Sequence, residues 1–140
     1  WSALWGKVLY NCSLNPLGAI LEVPYGRLGE NEETRKIIRG IIEEIFLVCR
    51  ALKVSLPYKG ADDYYRFLLE TQLPPTRDHR ASMLQDILAK RKTEIEALNG
   101  AISRLASENE IPTPYNDILT LLIKFKEKRV DQGSGDLELV

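Results

Sequence analysis

Apolar residues recur at helical spacing in every long segment of the chain, and alternating strand patterns are nearly absent. The spacing predicts a first helix over about 3–14, ending near Pro16, because the residue before a proline avoids the α region. Pro24, Gly26 and Gly29 then mark a turn-rich connection. A second helix over about 32–52 carries a wide stripe (Ile37, Ile38, Ile41, Ile42, Ile45, Phe46, Val48, Cys49, Leu52), which predicts a central place in the core. A shorter helix covers about 61–71, and LPPTRDHRA (73–81) reads as a loop. One long helix is expected over about 82–107, stopped by IPTP (111–114), and a last helix over about 115–128. The tail from 130 is expected to be disordered. The fold class predicted is all-α, in one domain over 1–129, without repeats.

The first helix carries the most pointed pattern. Lys7, Asn11 and Asn15 fall at about 0°, 40° and 80° on the helical wheel, stepping about 6 Å along the axis. Trp1, Trp5, Val8, Leu9 and Cys12 lie on the opposite side. Asparagine is a weak interior helix former, at roughly 0.6 kcal/mol against alanine. A merely solvated face more often uses Glu, Lys, Gln and Arg, which keep helix propensity. The alternative is a cationic proton donor beside two amides that both donate and accept hydrogen bonds.

Composition narrows the function classes. The 140 residues are 44% hydrophobic and 28% charged with a net charge of −1, so the basic excess expected of a nucleic-acid binder is missing. The basic clusters at 90–92 and 124–129 read as solvated helix faces. No run approaches the roughly 18 apolar residues of a membrane span, and no charged n-region followed by an apolar h-region opens the sequence, so a secretory signal is not expected. Two isolated cysteines, Cys12 and Cys49, suit a reducing cytoplasm, so Asn11-Cys12-Ser13 is read as a chance glycosylation sequon. One histidine, His79, leaves almost no ligands for zinc. The first residue is Trp rather than Met, so the chain is expected to begin inside a longer polypeptide.

A second constellation lies in 79–100. Ser82-Met83-Leu84-Gln85 reads as a capping box with Ser82 at the N-cap, and Asp86 favours the helix dipole. An N-cap serine beside free backbone N–H groups also suits a small carboxylate or phosphate. Glu94 falls about 60° from the centre of the apolar stripe on a 3.6-residue helix, at the edge of the core, where a partner becomes plausible. On one straight helix Ser82 and Glu94 would be about 18 Å apart. Either a cofactor spans that gap or the helix starts later.

These stretches together resemble the C-terminal domain of ketopantoate reductases (2-dehydropantoate 2-reductases). Trp5-x-Lys7-x3-Asn11-x3-Asn15-Pro16 looks like that family's first signature. His79-x2-Ser82-Met83-x2-Asp86 with Thr93-Glu94-Ile95 and Asn99-Gly100 looks like its second. Ile111-x-Thr113-Pro114-x-Asn116 matches the stretch before its last helix. Tyr25 is a departure, since some members carry an asparagine there.

The resemblance implies a helical substrate domain of the type found C-terminally in 6-phosphogluconate dehydrogenase. It implies reduction of ketopantoate to pantoate with NADPH, in pantothenate and coenzyme A biosynthesis. Lys7 would be the general acid, Asn11 and Asn15 would hold substrate oxygens, and Ser82 would bind near the carboxylate. Glu94 would contact the nicotinamide ribose and help position the reacting groups. The nine glycines contain no G-x-G-x-x-G, so NADPH would be held mainly by a Rossmann domain N-terminal to this chain. The chain alone is expected to fold without turnover. Two other readings stay open: reduction of a different 2-keto acid, and a non-catalytic helical module that forms a homodimer.

Overall fold

The computed structural model describes residues 2–131, with side-chain surroundings for 4–129. The chain is all-α, as the spacing predicts, and no strand occurs among the described residues. Helix α1 spans Ser2–Leu21, α2 Tyr25–Glu30, α3 Glu32–Ala51 and α4 Ala61–Phe67. A π-helical turn over Leu68–Gln72 and a 3₁₀ turn over Pro74–Thr76 lead to α5, Ser82–Leu88. A second 3₁₀ turn, Ile95–Ala97, precedes α6, Asn99–Glu108, and α7, Pro114–Asp131. Of the tail expected to be disordered from 130, residues 130 and 131 instead complete α7, and the remainder lies outside the described residues.

Helix α3 sits at the centre. Its Ile38, Ile41, Ile42, Ile45 and Val48 are fully buried, with Leu9, Cys12 and Leu14 from α1 and Ile102 and Ile123 from α6 and α7 in the same core. Each such aliphatic side chain removed from water contributes about 1.5–3 kcal/mol.

Helix α1 does not end at Pro16 but runs through it to Leu21. A proline inside a helix deprives the carbonyl four residues earlier of its partner. Here that carbonyl is Cys12 O, and it accepts instead from Asn99 Nδ2 at 3.2 Å. The same amide donates to Asn116 Oδ1 at 2.9 Å. Asn116 Nδ2 donates in turn to Glu44 Oε1 at 2.8 Å. Glu44, on α3 and buried, also accepts from the backbone N–H groups of Tyr115 and Asn116 at 2.9 and 3.0 Å. A carboxylate there caps the first turn of α7 and meets the positive end of its dipole. A buried polar chain therefore joins α3, α7, α6 and α1. Gly40 allows the close approach, because a Cβ there would lie 2.4 Å from the Tyr115 ring.

The long helix expected over 82–107 is two helices. Lys90 takes the left-handed conformation at φ 59°. Lys90 N–H donates to Ile87 O at 3.1 Å and Arg91 N–H to Asp86 O at 2.7 Å. This is a Schellman stop, built on a lysine where glycine is usual. Lys53 and Glu110 end α3 and α6 in the same way, at φ 58° and 56°.

Helix α7 buries Asn116, Leu119, Thr120 and Ile123, whereas Ile118, Leu121, Leu122 and Phe125 form an exposed apolar stripe, with Leu121 61% and Phe125 59% accessible. Among the described residues no helix is long and apolar enough to cross a membrane.

Candidate active site

The polar front of α1 faces an open groove of about 580 Å³. Gly6, Lys7, Tyr10 and Asn11 form one wall, and Gln72, Thr76 and His79 the other. Lys7 is exposed and Asn11 half-buried, while Trp5, Leu9 and Cys12 on the back of the helix are buried, as the periodicity predicts. Asn11 Nδ2 donates to Lys7 O at 3.0 Å, which leaves its Oδ1 and one N–H for a ligand.

The 72–79 wall is irregular chain, yet it is tied down. Tyr10 donates through its hydroxyl to Thr76 Oγ1 at 3.0 Å, and Tyr64 to Gln72 Oε1 at 2.8 Å. Tyr25 N–H donates to His79 O at 2.9 Å and Gly26 N–H to Arg77 O at 2.8 Å. Gly26 is required for that contact, since a Cβ would fall 2.8 Å from Arg77 Cβ and 3.1 Å from its carbonyl oxygen. The Tyr25 ring is buried and stands edge-on to Tyr10, with centroids 6.1 Å apart. Tyr25 thus supports the wall. Burial first, and the neighbouring Tyr10 second, push its hydroxyl above the ordinary phenol range and keep it neutral.

Asn15 is not part of a solvated stripe. It is 3% exposed and spans two helices, with Nδ2 donating to Ser82 Oγ at 2.9 Å and Oδ1 accepting from Met83 N–H at 3.1 Å. The capping box expected at Ser82 does not form: Ala81 holds the N-cap position, and no side chain within the segment caps α5. Asn15 supplies the cap from α1. Because Ser82 Oγ accepts from Asn15, its own hydroxyl proton is free to point outward, and Ser82 is exposed.

Glu94 lies not on a helix but in the turn after the Schellman stop, so the 18 Å rise along one helix does not apply. It is exposed rather than at the core edge, and it does not line the groove. Its flanks are fixed. Thr93 donates through N–H and Oγ1 to Glu127 Oε2 at 2.9 and 2.6 Å, and Ile95 is buried. The structure therefore ties Asn11 to Lys7 on the groove and Asn15 to Ser82 outside its lining, and Glu94 belongs to neither pair nor to the lining. Sequence reasoning passed over Tyr10, Gln72 and Thr76, which only the folding of 72–79 onto α1 recruits, and Glu127, which no local pattern marks. Cys12 and Cys49 are buried free thiols, Cys49 pushed up to about 11 by burial, so neither is a nucleophile at neutral pH.

An exposed ammonium, an amide and hydroxyl groups around an open groove can bind a small oxyanion and deliver a proton to a developing alkoxide. Comparison with known proteins identifies the family. Residues 1–127 match the family model described as "Ketopantoate reductase PanE/ApbA C terminal". The 2-dehydropantoate 2-reductase of Aquifex aeolicus (strain VF5) is 46% identical over 121 residues, covering 86% of this chain and 39% of that protein. A PanE/ApbA family ketopantoate reductase from Ralstonia eutropha JMP134 superposes with a TM-score of 0.81 at 34% identity, over 91% of this chain and 41% of that one. A D-mandelate dehydrogenase solved with NADH and anilino(oxo)acetate also gives a TM-score of 0.81, at 32% identity over the same shares of the two chains. The chain thus spans about two fifths of the length of these relatives. On the match across nearly its whole described length, the chain belongs to the ketopantoate reductase family and is of the C-terminal domain type.

Proposed function

We propose that this chain is the substrate-side domain of an NADPH-dependent reductase that converts ketopantoate to pantoate in the cytoplasm. Lys7 carries the reading: it is an exposed ammonium on a groove otherwise lined by amide, hydroxyl and imidazole groups. Bound NADPH would supply the hydride, and most of it would be held by a dinucleotide-binding domain outside this chain. Of the residues present, Glu94 fits a ribose, as an exposed carboxylate acceptor on a turn whose flanks are fixed.

The chain's own groups divide the remaining work. Lys7 holds a proton on Nζ and gives it to the carbonyl oxygen as that oxygen becomes the alcohol. Its exposure lets solvent restore the proton. Asn11, with Oδ1 and one N–H free, orients the oxygens beside Lys7. Ser82 donates its hydroxyl proton to the carboxylate, and Asn15 acts through Ser82 as a positioning residue.

The superposition on D-mandelate dehydrogenase at 32% identity favours, as a second reading, the same residue set acting on another 2-keto acid. The exposed stripe on α7 supports a homodimer for either enzyme, and would carry the third, non-catalytic reading.

The test uses the full-length enzyme. With NADPH and a panel of 2-keto acids, ketopantoate should give the highest kcat/KM, and Lys7→Ala should lower kcat by about 10² to 10⁴. Preference for another keto acid selects the second reading. A loss below tenfold removes Lys7 from the role of general acid. No turnover of any keto acid leaves only the third.

A further inference from the structure

The two basic runs that the sequence presents as separate solvated faces come together in the fold. The chain break after α5 swings Lys90, Arg91 and Lys92 against the last turns of α7, where Lys124 and Lys128 stand. The result is a hollow of about 540 Å³, floored by Ile87 and well away from the Lys7 groove in its lining residues.

Five cations face two carboxylates there, and both carboxylates are already engaged. Glu127 is occupied by Thr93 N–H and Oγ1. Glu96 binds Lys124 and, at 2.8 Å, Arg104, and these cations lower its pKa, Lys124 most, with a smaller effect from Lys92. Arg91 is braced by Asp86 at 3.3 Å. Among the described residues Lys90, Lys92 and Lys128 enter no ion pair. A local excess of this kind, in a chain whose net charge is −1, is a concentrated field rather than a general property of the surface. A hollow of this size suits an anion that packs several charges into a few ångströms.

We propose that this hollow binds a compact oligophosphate, as a free inorganic anion or as the diphosphate of a nucleotide. Lysines serve phosphate as point charges that need no planar match. The three unpaired lysines supply the attraction, and Arg91, held by Asp86, adds directional donors. The ligand would leave Glu127 and its grip on Thr93 undisturbed.

Titrating this chain with inorganic pyrophosphate and with ADP tests the assignment by isothermal calorimetry and amide NMR. At about 0.15 M salt, where surface charges are screened beyond about 8 Å, pyrophosphate should saturate with a Kd of about 1 mM or tighter. Shifts should centre on 90–93 and 124–128. Lys92→Met with Lys128→Met should weaken binding at least tenfold while the thermal transition stays in place, and Lys36→Met, an exposed lysine outside the hollow, should leave it unchanged. Equal affinities for the two probes identify a free-anion site, whereas tighter ADP identifies a nucleotide site. Absence of saturation, equal binding by the double variant, or loss of binding in Lys36→Met overturns the proposal.

Discussion

Asn99→Ala isolates the device that lets α1 pass through Pro16. The substitution removes both N–H donors of one buried amide, and two acceptors lose their partner: Cys12 O and Asn116 Oδ1. A buried acceptor left unmade costs about 1–3 kcal/mol, so the two together reach about 2–6 kcal/mol. Part of this is returned, because Asn99 Oδ1 is itself buried without a partner and disappears with the side chain. The net loss expected is about 2–4 kcal/mol, a large share of the 5–15 kcal/mol that holds a typical domain together. Pro16→Ala changes the outcome, since a backbone N–H at position 16 can satisfy Cys12 O within the helix. In that background Asn99→Ala should cost about 1–2 kcal/mol less, a coupling that a double-mutant cycle measures directly. Urea unfolding followed by circular dichroism, with all four proteins compared at one m-value, gives the numbers. A single-mutant loss under 1 kcal/mol, or the same loss in both backgrounds, would refute the capping role.

Other expectations are more local. Glu110→Gly should stabilise the domain by about 0.5–1 kcal/mol in thermal unfolding, because the left-handed residue that ends α6 then carries no Cβ strain, partly offset by the entropy of glycine. Stability should fall as pH rises through 9 toward about 11: burial raises the Cys49 thiol from 9.0 to about 11 and the Cys12 thiol further still, so the unfolded chain loses both protons first. Cys49→Ala should make that part of the pH profile shallower, with Cys12 keeping the rest of the slope. If the proposed homodimer forms through α7, Leu121→Glu with Phe125→Glu should shift sedimentation of the full-length protein toward monomer while leaving it folded, since both side chains are exposed; unchanged sedimentation would exclude the α7 face from any interface.

The sequence was legible where local patterns decide the structure. The α3 stripe of isoleucines set the core, and the 100° spacing put Lys7 and Asn11 on the face opposite Leu9 and Cys12. It was illegible where a distant residue overrides a local rule. Pro16 reads as a stop because the amide that relieves it, Asn99, lies on another helix. Ser82-x2-Gln85 reads as a self-contained cap, yet Asn15 takes over the capping and turns the serine into its hydrogen-bond acceptor. Lys90 hides the break after α5, because helix stops are expected at glycine. That missed break also misplaced Glu94, which moves from a helix edge to an exposed turn, and it concealed the meeting of the two lysine runs.

The polar chain from Glu44 to Cys12 has a consequence for biosynthesis. Its link Asn116 belongs to the final helix. While a ribosome still holds that segment, Glu44 lacks every one of its partners here and Asn99 has half of its own, so a nascent chain ending before residue 114 can collapse but not lock. Completion of this polar chain is thereby tied to emergence of α7, and termination before it would leave a species that quality-control proteases find open.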